Sequence, residues 1–156
     1  MIGLRAASGD DLALLWELRT RAVASACAAY YSEAVLGVWL ASPVPVSMHR
    51  LLAQGGGIVA EDNGQILGYA VLNADTGEVD GLFVEPAQHG RGIGAMLMTA
   101  IESVARDAGR DRLFLSASLN AVPFYARAGF VAVREEMYPH RSGVGIPSVF
   151  MEKRLE

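Results

Sequence analysis

A mixed α/β domain, with a mostly antiparallel central sheet flanked by helices, is predicted by three observations in this chain. Apolar, β-branched runs are joined by the turn signals Asp62-Asn63-Gly64 and Asp75-Thr76-Gly77, which make successive strands antiparallel neighbours. Amphipathic helical patterns stand before, between and after these runs. The run ending at Val84 breaks at Pro86 and passes through Gly90, Gly92 and Gly94 into the most regular helical pattern of the chain.

Each element follows from its own residues. Ile2 to Ala6 is a short apolar strand, punctuated by Ser8-Gly9-Asp10. Leu12, Leu15, Leu18 and Val23 then recur at helical spacing behind Asp10 as N-cap. Ser32-Glu33 opens a second helix through Val35, Leu36, Trp39 and Leu40, and Pro43 and Pro45 end it, because proline cannot continue a helix. Gly57 to Glu61, Gln65 to Asn73 and Glu78 to Val84 form a three-strand meander. From Gly94, the residues Leu97, Ile101, Val104, Ala105 and Ala108 give one apolar helix face, with Gly109 as its stop. Arg112 to Ala117 reads as a buried strand, Val122 to Ala128 as a short helix ended by Gly129, and Phe130 to Met137 and Ser148 to Lys153 as closing strands. The expected order is βααβββαβαββ, with no repeat and no linker, so residues 1–156 read as a single domain.

Composition narrows the function. The chain is 156 residues long, 52% hydrophobic and 19% charged, enough to bury a core without disulfides or metal. Its net charge is −4 and its Lys and Arg residues are scattered, which argues against nucleic acid as partner. There is no charged leader ahead of an apolar run, and no apolar stretch nears the ~20 residues of a membrane span, so the expected location is cytoplasmic, away from membranes. The single Cys27 rules out a disulfide framework and reads as a small core residue. His49, His89 and His140 lack metal-ligand spacing, and no metal is expected.

The segment Val84-Glu85-Pro86-Ala87-Gln88-His89-Gly90-Arg91-Gly92-Ile93-Gly94 carries the chemistry. Glycines adopt positive φ and let a backbone approach an anion, while the first turn of the following helix offers unpaired N–H groups and a positive dipole end. A pyrophosphate-bearing cofactor is the expected ligand. Gly90-x-Gly92-x-x-Ala95 also satisfies the dinucleotide fingerprint, with Asp107 and Asp111 downstream. In such a fold the acid ends the next strand, whereas Asp111 precedes Arg112 to Ala117, and a meander is the wrong lead-in. A kinase-type loop is excluded because no Gly-Lys-Ser or Gly-Lys-Thr follows.

Leu82-Phe83-Val84-Glu85-Pro86, the run His89 to Gly94, and Ala121-Val122-Pro123-Phe124-Tyr125-Ala126-Arg127-Ala128-Gly129-Phe130 together resemble the GNAT superfamily of N-acetyltransferases. The resemblance covers nearly the whole chain through its element order, and its specific part runs from Leu82 to Phe130. It implies acetyl-CoA as the acetyl donor, with no metal, and direct transfer to a primary amine of a small molecule or peptide in a ternary complex. It implies that the backbone of Leu82, Phe83 and Val84 meets the pantetheine arm as an added strand, and that His89, Gly90, Arg91, Gly92, Ile93, Gly94 and Ala95 form the pyrophosphate loop. His89 stands where the family has Arg or Gln, with Gln88 one position out of register. Asn120 either contacts the cofactor or caps the following helix.

Acetyl transfer to an amine needs a base, a polarised carbonyl and a leaving thiolate. Glu78 and Asp80 lie two apart, so strand alternation puts them on one face with Leu82, where either serves as base or is a solvated strand-start charge. Tyr125 resembles the family's general acid near the sulfur; the other reading is a packing aromatic. Tyr30, Tyr31, Trp39, Tyr138, His140 and Arg141 fall on the helix pair and last two strands, where the acceptor site is expected, although Pro139 to Pro147 also reads as an exposed loop. The alternative to an enzyme is a non-catalytic acyl-CoA-binding sensor or interaction module. A homodimer is compatible with all of this.

Overall fold

Residues 1–140 and 142–156 are described by a computed structural model. The first strand, β1 (Gly3–Ala6), leads through a capped turn into helix α1 (Leu12–Cys27). Here the Asp11 carboxylate, not Asp10, organises the helix start: it accepts from the Ser8 N–H at 2.9 Å and binds both terminal nitrogens of Arg5 at 2.9 Å. The Arg5 guanidinium holds the Asp11 carboxyl below the usual carboxylate range. Helix α2 (Glu33–Leu40) starts at Ser32, whose hydroxyl accepts from the Val35 N–H.

A third helix, α3 (Val46–Ala53), was not expected. Pro43 and Pro45 end α2 as anticipated, but Pro45 is also the N-cap of α3, where its missing N–H costs nothing. Met48, Leu51 and Leu52 follow at helical spacing and are buried. The observed order is therefore βαααβββαβαββ.

The meander is β2 (Gly57–Asp62), β3 (Gln65–Asn73) and β4 (Glu78–Val84). Helix α4 (Ile93–Asp107) precedes β5 (Arg112–Ser118), helix α5 (Val122–Arg127), β6 (Val131–Pro139) and β7 (Gly145–Arg154). Seven strands form one sheet in the order β1-β2-β3-β4-β5-β7-β6, antiparallel except at β4–β5. One face carries α4 over a core that includes Leu97, Ile101, Leu113 and Met151. The other carries α1 and α3 over Leu15, Leu18, Leu52 and Tyr69. Gly109 and Gly129 take positive φ after α4 and α5. Each stop is closed by paired bonds, Arg110 N–H to the Ala105 carbonyl and Phe130 N–H to the Tyr125 carbonyl among them.

Two irregularities matter for function. First, β4 and β5 pair at only one registered position, Glu78 opposite Phe114, and diverge beyond it. Second, Gly81 faces Val71 while Val79 faces Leu72, so Asp80 is an extra, bulged residue in β4. The closing hairpin is also tighter than expected, because β6 runs to Pro139 and β7 begins at Gly145. Among the described residues only His140, Ser142, Gly143 and Val144 are left between them, and Arg141 lies outside the described residues.

Candidate active site

The divergence of β4 from β5 opens a cleft of about 1020 Å³ through the sheet. Its walls follow from hydrogen-bond alternation. The Glu85 N–H donates to the Leu67 carbonyl of β3, so the backbone groups of Leu82 and Val84 point the other way, into the gap. Across it the Phe114 N–H donates to the Gly77 carbonyl, and the same alternation turns the backbone groups of Ser116 and Ser118 toward β4. An extended ligand entering here meets a strand edge on each side. Phe83 is committed to β3 opposite Tyr69, so it offers only its ring, which packs 5.6 Å from that of Tyr69.

At the end of this gap lies the glycine loop. Gly90 and Gly92 have φ of +86° and +74°, and Gly92 is the N-cap of α4. A Cβ built on either meets no protein atom within 4 Å, which leaves open space in front of the helix start. Gly94 differs, since a Cβ there would lie 2.8 Å from the Phe124 ring; this glycine lets α5 pack against α4. Ile93 buries its side chain in the core, and Ala95 lines the cleft. The Arg91 side chain turns out of the cleft, donating to Gln88 Oε1 at 2.6 Å and lying 3.7 Å from Asp62. His89 and Gln88 line the cleft. The loop is anchored from behind by a bidentate pair in which Arg21 of α1 donates to both Glu85 oxygens, at 2.9 and 2.7 Å.

Glu78 and Asp80 both line the cleft, on either side of the buried Val79. The bulge resets the strand, so Leu82 opposes Ala70 and packs on the α4 side, whereas Glu78 opposes Asn73. Leu82 therefore does not share the face expected for it with Glu78 and Asp80; it packs with Val79 in the α4-side core. Both carboxyls titrate above their ordinary range. For Glu78, desolvation comes first and repulsion from Asp80 second; for Asp80, desolvation dominates and Arg50 of α3 partly offsets it. Asp80 is reached by water, yet it sits between protein walls that strip much of its hydration.

Tyr125 of α5 is 7% exposed, with its ring edge-on to Phe124 and Phe130 at 5.2 and 5.6 Å. Burial pushes its phenol up to about 12. Among the described residues no fully sealed side-chain polar atom lacks a partner, and no protein group bonds this hydroxyl, so its oxygen opens into the cleft that it lines. Asn120 does not cap α5; its Oδ1 accepts from the Cys27 thiol at 3.1 Å. Burial raises that thiol to about 11, which leaves it a buried, protonated side chain at neutral pH.

The cleft is also lined by the aromatic side chains of Tyr30, Tyr31, Trp39 and Tyr138, together with Trp16 and Tyr69. The Tyr31 hydroxyl donates to the Pro147 carbonyl at 2.7 Å and accepts from the Leu119 N–H at 2.9 Å. His140 is no free loop residue. The Ser42 hydroxyl donates to the Val38 carbonyl, so it accepts from His140 Nε2 at 2.6 Å, and Nδ1 accepts from the Ser142 N–H. This clasp joins the closing hairpin to the end of α2 across 98 residues of sequence, and no local pattern announces it. Arg19 was also missed; it donates to the Trp39 carbonyl, 20 residues away, at 2.7 Å and packs over the Trp16 ring at 4.2 Å. Among the described residues no group of three or more His, Cys, Asp or Glu could hold a metal ion, and no helix is long and apolar enough to cross a membrane.

A split sheet with a glycine loop at the mouth of the split defines an acyl-coenzyme A N-acyltransferase fold. The model of the acetyltransferase (GNAT) domain matches residues 27–155, and the chain belongs to that family, whose class of chemistry is acetyl-CoA-dependent acyl transfer. It is similar to an IAA acetyltransferase of Azospirillum brasilense, 35% identical over 105 residues that span 63% of this chain and 67% of that protein. It is also similar to the N-acetyltransferase YjcF of Bacillus subtilis, 31% identical over 77 residues, 49% of this chain and about half, 53%, of that protein. Among solved structures, a GCN5-related N-acetyltransferase from Rhodopseudomonas palustris superposes with a TM-score of 0.85 at 26% identity, covering 98% of this chain and 95% of that one. The PaiA N-acetyltransferase of Thermoplasma acidophilum, solved in complex with coenzyme A, shares the fold with a TM-score of 0.75 at 20% identity, covering 99% of each chain.

Proposed function

We propose that this chain transfers the acetyl group of acetyl-CoA directly to a primary amine of a small molecule or peptide, donor and acceptor meeting in the one cleft. The observation that carries the reading is the split itself: outward backbone groups at Leu82 and Val84 lead straight to the open space before Gly90 and Gly92, with Asp80 and Tyr125 facing the same volume. Acetyl-CoA, when bound, supplies the activated thioester. Leu82 and Val84 orient its extended arm by strand-like bonds, and the free amides from Gly92 to Ala95 hold phosphate oxygens at the helix start.

An amine of pKa about 10.4 arrives protonated. Asp80 or Glu78, directly or through water, takes that proton, and their raised affinity for protons suits the task near neutral pH. The amine nitrogen then forms the C–N bond as the C–S bond breaks. Tyr125, protonated at any working pH, offers its O–H to the departing sulfur. That help is modest, since a thiolate of pKa about 8.5 leaves fairly well unaided.

The test is incubation of the protein and acetyl-CoA with a panel of amines and peptide N-termini, following free thiol and the mass of the acetylated product. Amine-dependent thiol release with a matching +acetyl product is expected. Coenzyme binding with no turnover across the panel would replace transfer by the sensor or interaction-module reading.

A further inference from the structure

Resting on the acetyl-transfer reading, we propose that the acceptor is a primary amine carried on an aromatic body and lacking an α-carboxylate, its ammonium facing Glu78 and Asp80 and its ring held among Trp39, Tyr31 and Tyr138. The charge distribution sets the first half of this statement. Two carboxylates line the cleft and repel each other, so a cation beside them relieves both. Among the described residues that line the cleft, the only lysine or arginine side chains are Arg19 and Arg127. Arg19 is 4% exposed, donates to the Trp39 carbonyl at 2.7 Å and to Thr20 at 3.3 Å, and packs over Trp16, so its guanidinium is buried and held by the protein. Arg127 belongs to α5, the helix whose Phe124 meets Gly94 at the donor end. Arg50 of α3 does not line the cleft, and its field already falls on Asp80, so an α-carboxylate on the acceptor would meet Glu78 and Asp80 with no further described cation lining that end to balance it.

The aromatic wall sets the second half. Tyr31 and Trp39 meet edge to face at 5.2 Å, and Tyr31 is pinned at its hydroxyl by the two bonds described above, so the pair is fixed before any ligand arrives. Tyr138 is 48% exposed and lines the same cleft as Glu78 and Asp80, whose fields, after burial, raise its phenol. Carboxylates in a cleft that is also lined by aromatic rings bind an ammonium through charge and cation–π attraction while burying an attached aryl group.

The experiment compares 2-phenylethylamine, L-phenylalanine and ethylamine as acceptors, by thiol release and by calorimetric titration into the coenzyme A-loaded protein. Phenylalanine adds only the α-carboxylate, and its kcat/KM is expected to be lower by about tenfold or more. Ethylamine removes only the ring and is expected to fall by a similar factor. Trp39→Ala should raise KM for phenylethylamine about tenfold more than it raises KM for ethylamine. Equal or better turnover of phenylalanine or ethylamine overturns this inference and leaves acetyl transfer standing. If no amine is turned over, transfer falls, and calorimetry decides the inference alone: phenylethylamine binding more tightly than phenylalanine supports it, and no phenylethylamine heat overturns it.

Discussion

Gly92→Val separates a backbone that binds a ligand from one that merely turns. Gly92 sits at φ +74° with no protein atom within 4 Å of a built Cβ, so valine there clashes with nothing in the protein. The folded-state cost is the left-handed strain alone, about 1–2 kcal/mol. For a chain of this size that lowers Tm by about 2–8 °C, too little to unfold it. Gly64, in the β2–β3 turn, has φ +78° and equally open surroundings, which makes Gly64→Val a control matched in strain. At Gly92, however, two methyl groups enter the space through which amides would reach a phosphate. Each charge-assisted bond lost there is worth about 1.5–3 kcal/mol, or roughly ten- to a hundredfold in Kd. Isothermal titration with coenzyme A should therefore show at least tenfold weaker binding for Gly92→Val, and for Gly64→Val the parent affinity within about twofold. Equal affinities in the two variants at equal Tm loss would refute the loop as the phosphate site.

Tyr125→Phe should lower kcat by about three- to tenfold without abolishing it, the worth of one hydrogen bond, and an unchanged kcat at saturating substrate would remove Tyr125 from the chemistry. Asp80→Asn should cut kcat more than Glu78→Gln if Asp80 is the base, read from acidic-limb pH profiles; the reverse ranking assigns Glu78. Asp80 also carries a stability signature. Its folded pKa is raised, so stability is fully present below the unfolded value and is lost as pH rises toward the folded one. Asp80→Asn should then raise Tm at neutral pH, with the gain vanishing in acid. His89→Arg should tighten coenzyme A binding by adding a cation at the cleft mouth, and identical titration curves would mean that the amides suffice.

Local chemistry made most of the fold readable. The Asn63-Gly64 turn, the apolar face of α4 and the stops at Gly109 and Gly129 are each set by neighbours a few residues apart, and each stands where its pattern placed it. Helix α3 was hidden because Pro45 reads first as a terminator, although the same residue is a good helix start. The loop glycines were legible, since positive φ and open approach demand glycine. What alternation could not foresee was the bulge at Asp80, because an extra residue in β4 is defined only against its partner β3. The Arg21–Glu85 anchor and the His140–Ser42 clasp join residues 64 and 98 positions apart. Such pairs are products of tertiary packing, and nothing within either segment marks them.

With one registered pair between β4 and β5, the seven strands behave mechanically as a four-strand and a three-strand plate riveted near Glu78 and Phe114. Whatever lies in the gap as an extra strand becomes the mortar between the plates. Coupling of that kind ties the rigidity of the whole molecule to the concentration of its occupant: at a hundred times Kd, about 2.7 kcal/mol is added to stability. The protein's resistance to heat and to proteases would then rise and fall with the supply of that occupant, a gauge that works whether or not an acceptor is present.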